Sequence, residues 1–255
     1  MLHGQPTWSF LFRKCIPQLV DTGYRCIAPD LPGFGRSDKP ADIDWYSYER
    51  HVAAFESVLE HLDLRDATLL LHDWGGPIGL QAAIGRLRDR VSRIVAMDTT
   101  ILVGQDLGEA WHWFRDLVAS RDDLPTGRVV RVACRHRPAA EVLAAYEAPF
   151  PDPSYKAGVK AFPRLIPLDP DHPTALAGLA TRDALRADPR PVLVLWAERD
   201  VMFPTDQFAH AFCTNFASAE GPQVIDKTGH FMFEDRGEHV AQIVGAWLDA
   251  RCVVA

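Results

Sequence analysis

The run Thr68-Leu69-Leu70-Leu71-His72-Asp73-Trp74-Gly75-Gly76, continued by Pro77-Ile78-Gly79-Leu80-Gln81, reads as a buried strand that breaks into a glycine-flanked turn and restarts as a helix. An aspartate stands at the turn, where a sharp strand-to-helix bend pushes one side chain outward and leaves space only for small neighbours. Asp before a helix is also an ordinary cap, and Gly an ordinary turn residue. The run therefore gains its meaning from the text around it.

Working outward, short Val- and Leu-rich runs alternate with longer amphipathic stretches, the pattern of strand–helix units feeding a parallel sheet. Strands are expected at Tyr24 to Ala28, Ala67 to His72 and Ile94 to Met97, with helices near Tyr46 to Leu62 and Gly76 to Arg86. The same alternation resumes at Pro191 to Trp196, with a helix near Asp206 to Phe216, a strand at Gln223 to Ile225 and a helix from Gly237 to Arg251. Between these halves the text is rich in Pro, Ala and aromatics and offers no strand pair, so it reads as short helices. The expected organisation is α/β: a core over residues 1–100, a helical cap over 101–188 and the rest of the core over 189–255. A cap inserted there lies over the carboxyl ends of the strands, where open α/β sheets place their sites.

The 255 residues are 47% hydrophobic and 24% charged, enough for a single substantial core. Net charge is −7, and the 27 Lys and Arg are scattered, which argues against a nucleic-acid or anionic-membrane partner. The five cysteines show neither CxxC nor Cys/His metal spacing and read as reduced thiols in a cytoplasmic setting. No phosphate loop, dinucleotide fingerprint or metal-ligand spacing occurs, so no cofactor or metal is expected. The chain opens without the charged start and apolar core of a signal peptide, and a monomer is expected.

An aspartate at the turn favours a particular chemistry. A serine must lose a proton before attacking a carbonyl, whereas a carboxylate is already ionised at neutral pH and displaces a leaving group from an sp3 carbon. The resulting ester on Asp73 must then be hydrolysed, which needs a base near neutral pKa to activate water. Of ten histidines, only His230 follows the last strand with a glycine before it, in Val224-Ile225-Asp226-Lys227-Thr228-Gly229-His230-Phe231. Its orienting acid is best placed at Asp200, just past the strand ending Leu195-Trp196-Ala197, with Asp98 as competitor and Glu198 too early in the loop.

With these residues in view, the chain resembles the haloalkane dehalogenases of the α/β-hydrolase superfamily, the subgroup with an Asp-His-Asp triad and two halide-binding tryptophans. The matching text includes His3-Gly4-Gln5-Pro6-Thr7-Trp8, Asp30-Leu31-Pro32-Gly33-Phe34-Gly35-Arg36-Ser37, the Asp73 turn, Ala148-Pro149-Phe150-Pro151, Ser154-Tyr155-Lys156-Ala157-Gly158 and Gly229-His230-Phe231. The resemblance implies an α/β-hydrolase fold, a small haloalkane substrate, water and a released halide. It further implies an oxyanion site made by the backbone N–H groups of Gln5 and Trp74, and halide donation from the Trp74 indole plus a tryptophan of the first cap helix. Trp111 and Trp113 both qualify, and spacing from the turn favours Trp113. The family pattern also has opening strands ahead of the His-Gly motif, where this chain has only Met1-Leu2. A truncated or mis-started product is expected, with a slot in the sheet between the strands at Tyr24 to Ala28 and Ala67 to His72.

Two other readings compete. An epoxide hydrolase shares the aspartate nucleophile and needs cap tyrosines to protonate the alkoxide; Tyr146 and Tyr155 are present. A non-catalytic relative is the other, and the complete Asp73, Asp200 and His230 set argues against it.

Overall fold

The computed structural model describes residues 1–252. Its centre is a parallel four-stranded sheet in the order β1 (Ala67–His72), β2 (Val91–Met97), β3 (Val192–Arg199) and β4 (Ala219–Gly229). Side chains of a strand alternate between faces, and this alternation sorts them into two cores. Leu69, Leu71, Ile94, Ala96, Val192, Val194 and Trp196 pack on one face, while Leu70, Val95, Met97, Leu193, Leu195 and Ala197 pack on the other. Strands buried on both faces read as unbroken apolar runs rather than alternating ones, which is why Leu69 to Leu71 and Val192 to Trp196 stand out in the sequence.

The first face is covered by α2 (Tyr48–His61), α3 (Gly75–Ile84) and α9 (Thr205–Cys213) through Phe55, Leu59, Ile78 and Phe212. The second is covered by a 3-10 turn over Ser9–Lys14, by α1 (Ile16–Asp21) and by α10 (Met232–Cys252), whose Val240, Val244 and Trp247 complete that core. Helices thus cover the parallel sheet on both faces. Between β2 and β3 the described residues form α4 (Glu109–Ala119), α5 (Thr126–Ala133), α6 (Ala140–Glu147), α7 (Ala157–Ala161) and α8 (Pro173–Arg186), without a strand. No helix of the described residues is long and apolar enough to cross a membrane.

The structure departs from expectation at the start of the chain. Residues 24–28 form no strand. A strand exists only by pairing its N–H and C=O groups, and the segment beside β1 is a single parallel bridge at Leu2: Leu2 N donates to Leu70 O at 2.8 Å, and His72 N donates to Leu2 O at 3.1 Å. The expected slot is thus narrowed where it matters most, at the β1 end that leads into the turn. There Leu2 is 1% exposed and packs with Leu31 and Leu71 in the first core. The four cysteines whose side chains are described, Cys15, Cys26, Cys134 and Cys213, are free thiols; the Cys252 side chain lies outside the described residues.

Candidate active site

β1 runs straight into Asp73, whose φ of 51° lies in the left-handed region that side chains other than Gly, Asn and Asp avoid. The neighbours hold it there. Thr99 Oγ1 donates to Asp73 O at 2.6 Å, and Gly76 N donates to the same carbonyl at 2.9 Å. Gly76 has no alternative, since a Cβ there would lie 1.8 Å from Thr99 Oγ1. Gly4 is similarly required, because its Cβ would fall 1.9 Å from Asp73 Oδ1. That close approach lets the next residue, Gln5, donate its backbone N–H to Asp73 Oδ1 at 2.7 Å. The Gln5 side chain reaches the other way, donating to Val159 O of α7 at 2.6 Å, and so ties the turn to the cap.

His230 follows β4 and is 2% exposed. Its Nδ1 lies 2.9 Å from Asp200 Oδ2 and its Nε2 lies 3.6 Å from Asp73 Oδ2, so the three expected residues converge. Asp200 is fixed in turn, its Oδ1 accepting from Met202 N at 2.7 Å and Phe203 N at 3.0 Å. Burial penalises the His230 imidazolium, but the charge and hydrogen bond of Asp200, followed by those of Asp73, outweigh it and hold the pKa well above the usual histidine value. The loop carrying His230 is clamped by Asp235, which accepts from Gly229 N at 2.9 Å and from Arg135 N and His136 N at 2.8 and 2.7 Å. Arg236, non-helical at φ −144° and ψ 42°, breaks α10 just after this clamp.

Of the two candidate acids, Asp200 takes the imidazole. Asp98, wholly buried at the end of β2, accepts from Ala197 N at 2.8 Å instead. His72 donates through Nε2 to His230 O at 2.8 Å, and burial drives its pKa down to about 4, so it is a neutral residue holding the base's backbone. Ligand-type atoms of His72, Asp98 and His230 lie within 4.8 Å of one another. Both nitrogens of His230 are directed at carboxylates, Nδ1 at Asp200 and Nε2 at Asp73, while His72 Nε2 donates to His230 O and Asp98 Oδ1 accepts from Ala197 N. The cluster reads as a hydrogen-bonded support.

A cavity of about 450 Å³, mainly apolar, opens over Asp73, Trp74 and His230, beneath the cap. Trp111 and Trp113 both border it, but very differently. Trp113, favoured on spacing, is 63% exposed, whereas Trp111 is 3% exposed and its indole N–H is buried without a hydrogen-bond partner. The reason is helical geometry: Trp111, Phe114 and Val118, spaced three and four apart, form the buried stripe of α4, and Trp113 stands off it. Neither Tyr146 nor Tyr155 is among the cavity-lining residues. Tyr146 is fully buried and donates its hydroxyl to Glu234, which also pairs with Arg13, and Tyr155 is exposed at the surface. Thr99 and Asp235, which hold the site in place, belong to no motif, and His72 stands within the Asp73 run without a role that the run itself assigns.

Residues 1–237 match the family model described as the alpha/beta hydrolase fold. Haloalkane dehalogenase 1 of Mycobacterium bovis is 40% identical over 252 residues, covering 98% of this chain and 83% of the relative. The haloalkane dehalogenase of Psychrobacter cryohalolentis is 39% identical over 246 residues, covering 96% of this chain and 80% of the relative. Among solved structures, the tetrameric haloalkane dehalogenase DpaA of Paraglaciecola agarilytica superposes with a TM-score of 0.88 at 34% identity, covering 95% of this chain and 80% of that one.

Proposed function

The chain belongs to the haloalkane dehalogenase family of α/β hydrolases, and from that premise we propose that Asp73, His230 and Asp200 hydrolyse carbon–halogen bonds in two steps. The observation that carries this reading is a carboxylate on an apolar cavity floor, gripped by the Gln5 N–H at 2.7 Å and faced by His230 Nε2 at 3.6 Å. In the first step a carboxylate oxygen of Asp73 attacks the halogen-bearing carbon, the carbon–halogen bond breaks, and halide leaves with the bonding pair. In the second, His230 Nε2 takes a proton from water and hydroxide adds to the ester carbonyl of Asp73. The oxyanion sits on the Gln5 and Trp74 backbone N–H groups, and collapse releases the alkoxide, which takes back the proton held by the His230 imidazolium and leaves as the alcohol.

The electrostatics supply the timing. In the free enzyme two carboxylates hold His230 as the imidazolium. Esterification neutralises Asp73, the desolvation penalty remains, and the histidine becomes a better base when one is required. Ester hydrolysis therefore slows as pH falls through the His230 pKa of the alkyl-enzyme.

Trp74 and Trp111, rather than Trp113, are the pair we assign to halide. An indole N–H donates without accepting, and a buried, unpartnered one on a cavity wall is suited to an anion. A hydrogen bond to a charged group is worth about 1.5–3 kcal/mol. Trp111→Phe is expected to weaken bromide binding by roughly tenfold to a hundredfold, on about 1.4 kcal/mol per decade. Trp113→Phe should change it less than about twofold, as exposed positions do. Bromide titration of the remaining tryptophan fluorescence decides, and the reverse ranking would restore Trp113.

Incubation with 1,2-dibromoethane is expected to release bromide, and incubation with styrene oxide to give no diol. Diol without bromide would instead favour the epoxide reading, for which the positions of Tyr146 and Tyr155 give no support.

A further inference from the structure

Behind the triad lies a carboxyl group that the two-step reaction does not use. Asp98 closes β2 with a φ of 42°, and its side chain is wholly buried. Oδ1 accepts from Ala197 N, but Oδ2 has no hydrogen-bond partner. A buried, unpaired carboxylate oxygen is costly, and the groups around it make ionisation worse. His72, at the end of β1, spends its proton on His230 O, which leaves Nδ1 an unpartnered acceptor. Asp200, beyond β3, lies 2.9 Å from His230 Nδ1 and within side-chain interaction range of Asp98, whose ionisation its charge disfavours. His230, after β4, is the cation of the cluster and favours ionisation of Asp98, but burial and the charge of Asp200 outweigh it. Asp98 Oδ2 therefore lies among acceptors without a donor of its own, and one proton on it resolves the mismatch.

We propose that Asp98 is a positioning residue carried as the neutral acid, its Oδ2–H donating to Asp200, so that Asp200 stays locked on His230. The inference rests on the two-step reading above for its catalytic consequence, though not for its protonation state. Burial, then the charge of Asp200, push the Asp98 carboxyl well above the ordinary range, in keeping with a retained proton at neutral pH. The reason for the arrangement is chemical. An ionised Asp98 would add a second anion behind the imidazole and keep it protonated when a base is needed, whereas a neutral one supports Asp200 without that charge.

Two substitutions separate the states. In Asp98→Asn an amide N–H₂ replaces the O–H as donor without adding charge. Its kcat for 1,2-dibromoethane is expected within about threefold of the parent enzyme, and the acid limb of its pH profile within about 0.3 units. In Asp98→Leu the donor is gone. The alkyl-enzyme should then hydrolyse about tenfold more slowly or worse, while halide release in a single turnover is unchanged. Should Asp98→Leu not fold, the Asn variant still decides, because an ionised Asp98 predicts that removing its charge lowers the His230 pKa by about one unit or more.

A measurement independent of turnover completes the test: the carboxyl ¹³C resonance of Asp98 in ¹³C-aspartate-labelled protein, assigned by its loss in Asp98→Asn. A protonated shift at pH 7 supports the proposal. An ionised shift, a one-unit displacement in the Asn variant, or equal ester hydrolysis by the Asn and Leu variants overturns it. If the parent enzyme released no halide, the two-step reading would fail, while the resonance would still report the state of Asp98.

Discussion

His230→Gln is expected to abolish steady-state turnover, by at least about 10⁴-fold on the scale of triad deletions, and yet to release one equivalent of halide per enzyme. The split follows from geometry. Asp73 needs no base to attack, being already a carboxylate, with Oδ1 held by Gln5 N and its backbone by Thr99. The second step does need His230, because water attacks an ester slowly without proton removal. Glutamine keeps a polar side chain of similar reach beside Asp200 but accepts no proton at these pH values. After exposure to 1,2-dibromoethane, intact-mass spectrometry should find a single alkyl adduct, and peptide mapping should place it on Asp73. A folded variant that shows neither halide burst nor adduct would remove the covalent step from the mechanism; one that turns over normally would remove His230 from it.

The parts of this site that are legible in the sequence are those whose chemistry is local. A run such as Leu69-Leu70-Leu71 before a glycine-flanked aspartate constrains both the strand and the turn, because a strand buried on both faces has no polar positions and a strained turn tolerates no bulk. His230 is legible in the same way, from its place after the last strand. Long-range relations are harder. Residues 24–28 have the composition of a strand and form none, because pairing is decided by the neighbour, and here that neighbour is one bridge at Leu2. The place of Asp200 past β3 ranks it ahead of Asp98, but Asp98 stays open until the imidazole is seen 2.9 Å from Asp200, a distance no spacing encodes. Trp111 is a different case. The stripe Trp111, Phe114 and Val118 follows the helical period, and that period alone ranks Trp111 inside and Trp113 outside, against the spacing from the turn that favours Trp113.

The complementary expectation concerns the nucleophile. Asp73→Asn should reduce turnover by at least about 10⁴-fold and, unlike the histidine variant, should show no halide burst and no adduct. Asparagine is nearly isosteric, tolerates the left-handed φ of 51°, and still offers Gln5 N a carbonyl oxygen acceptor. The fold therefore has no reason to change, and a thermal melt close to the parent's would assign the loss to the missing carboxylate. Removing that charge also takes away one of the anions that hold His230 protonated. The imidazole of Asp73→Asn should consequently titrate at lower pH than in the parent enzyme, while Asp200 keeps it hydrogen-bonded. The direction is fixed by sign: an adjacent carboxylate stabilises the imidazolium, so its neutral replacement lowers the pKa. Histidine resonances followed by NMR against pH would read this directly, and an unchanged His230 titration would mean that Asp73 and His230 are not coupled at 3.6 Å. The two variants thus divide the reaction at its intermediate: His230→Gln stops after the carbon–halogen bond is broken, and Asp73→Asn stops before.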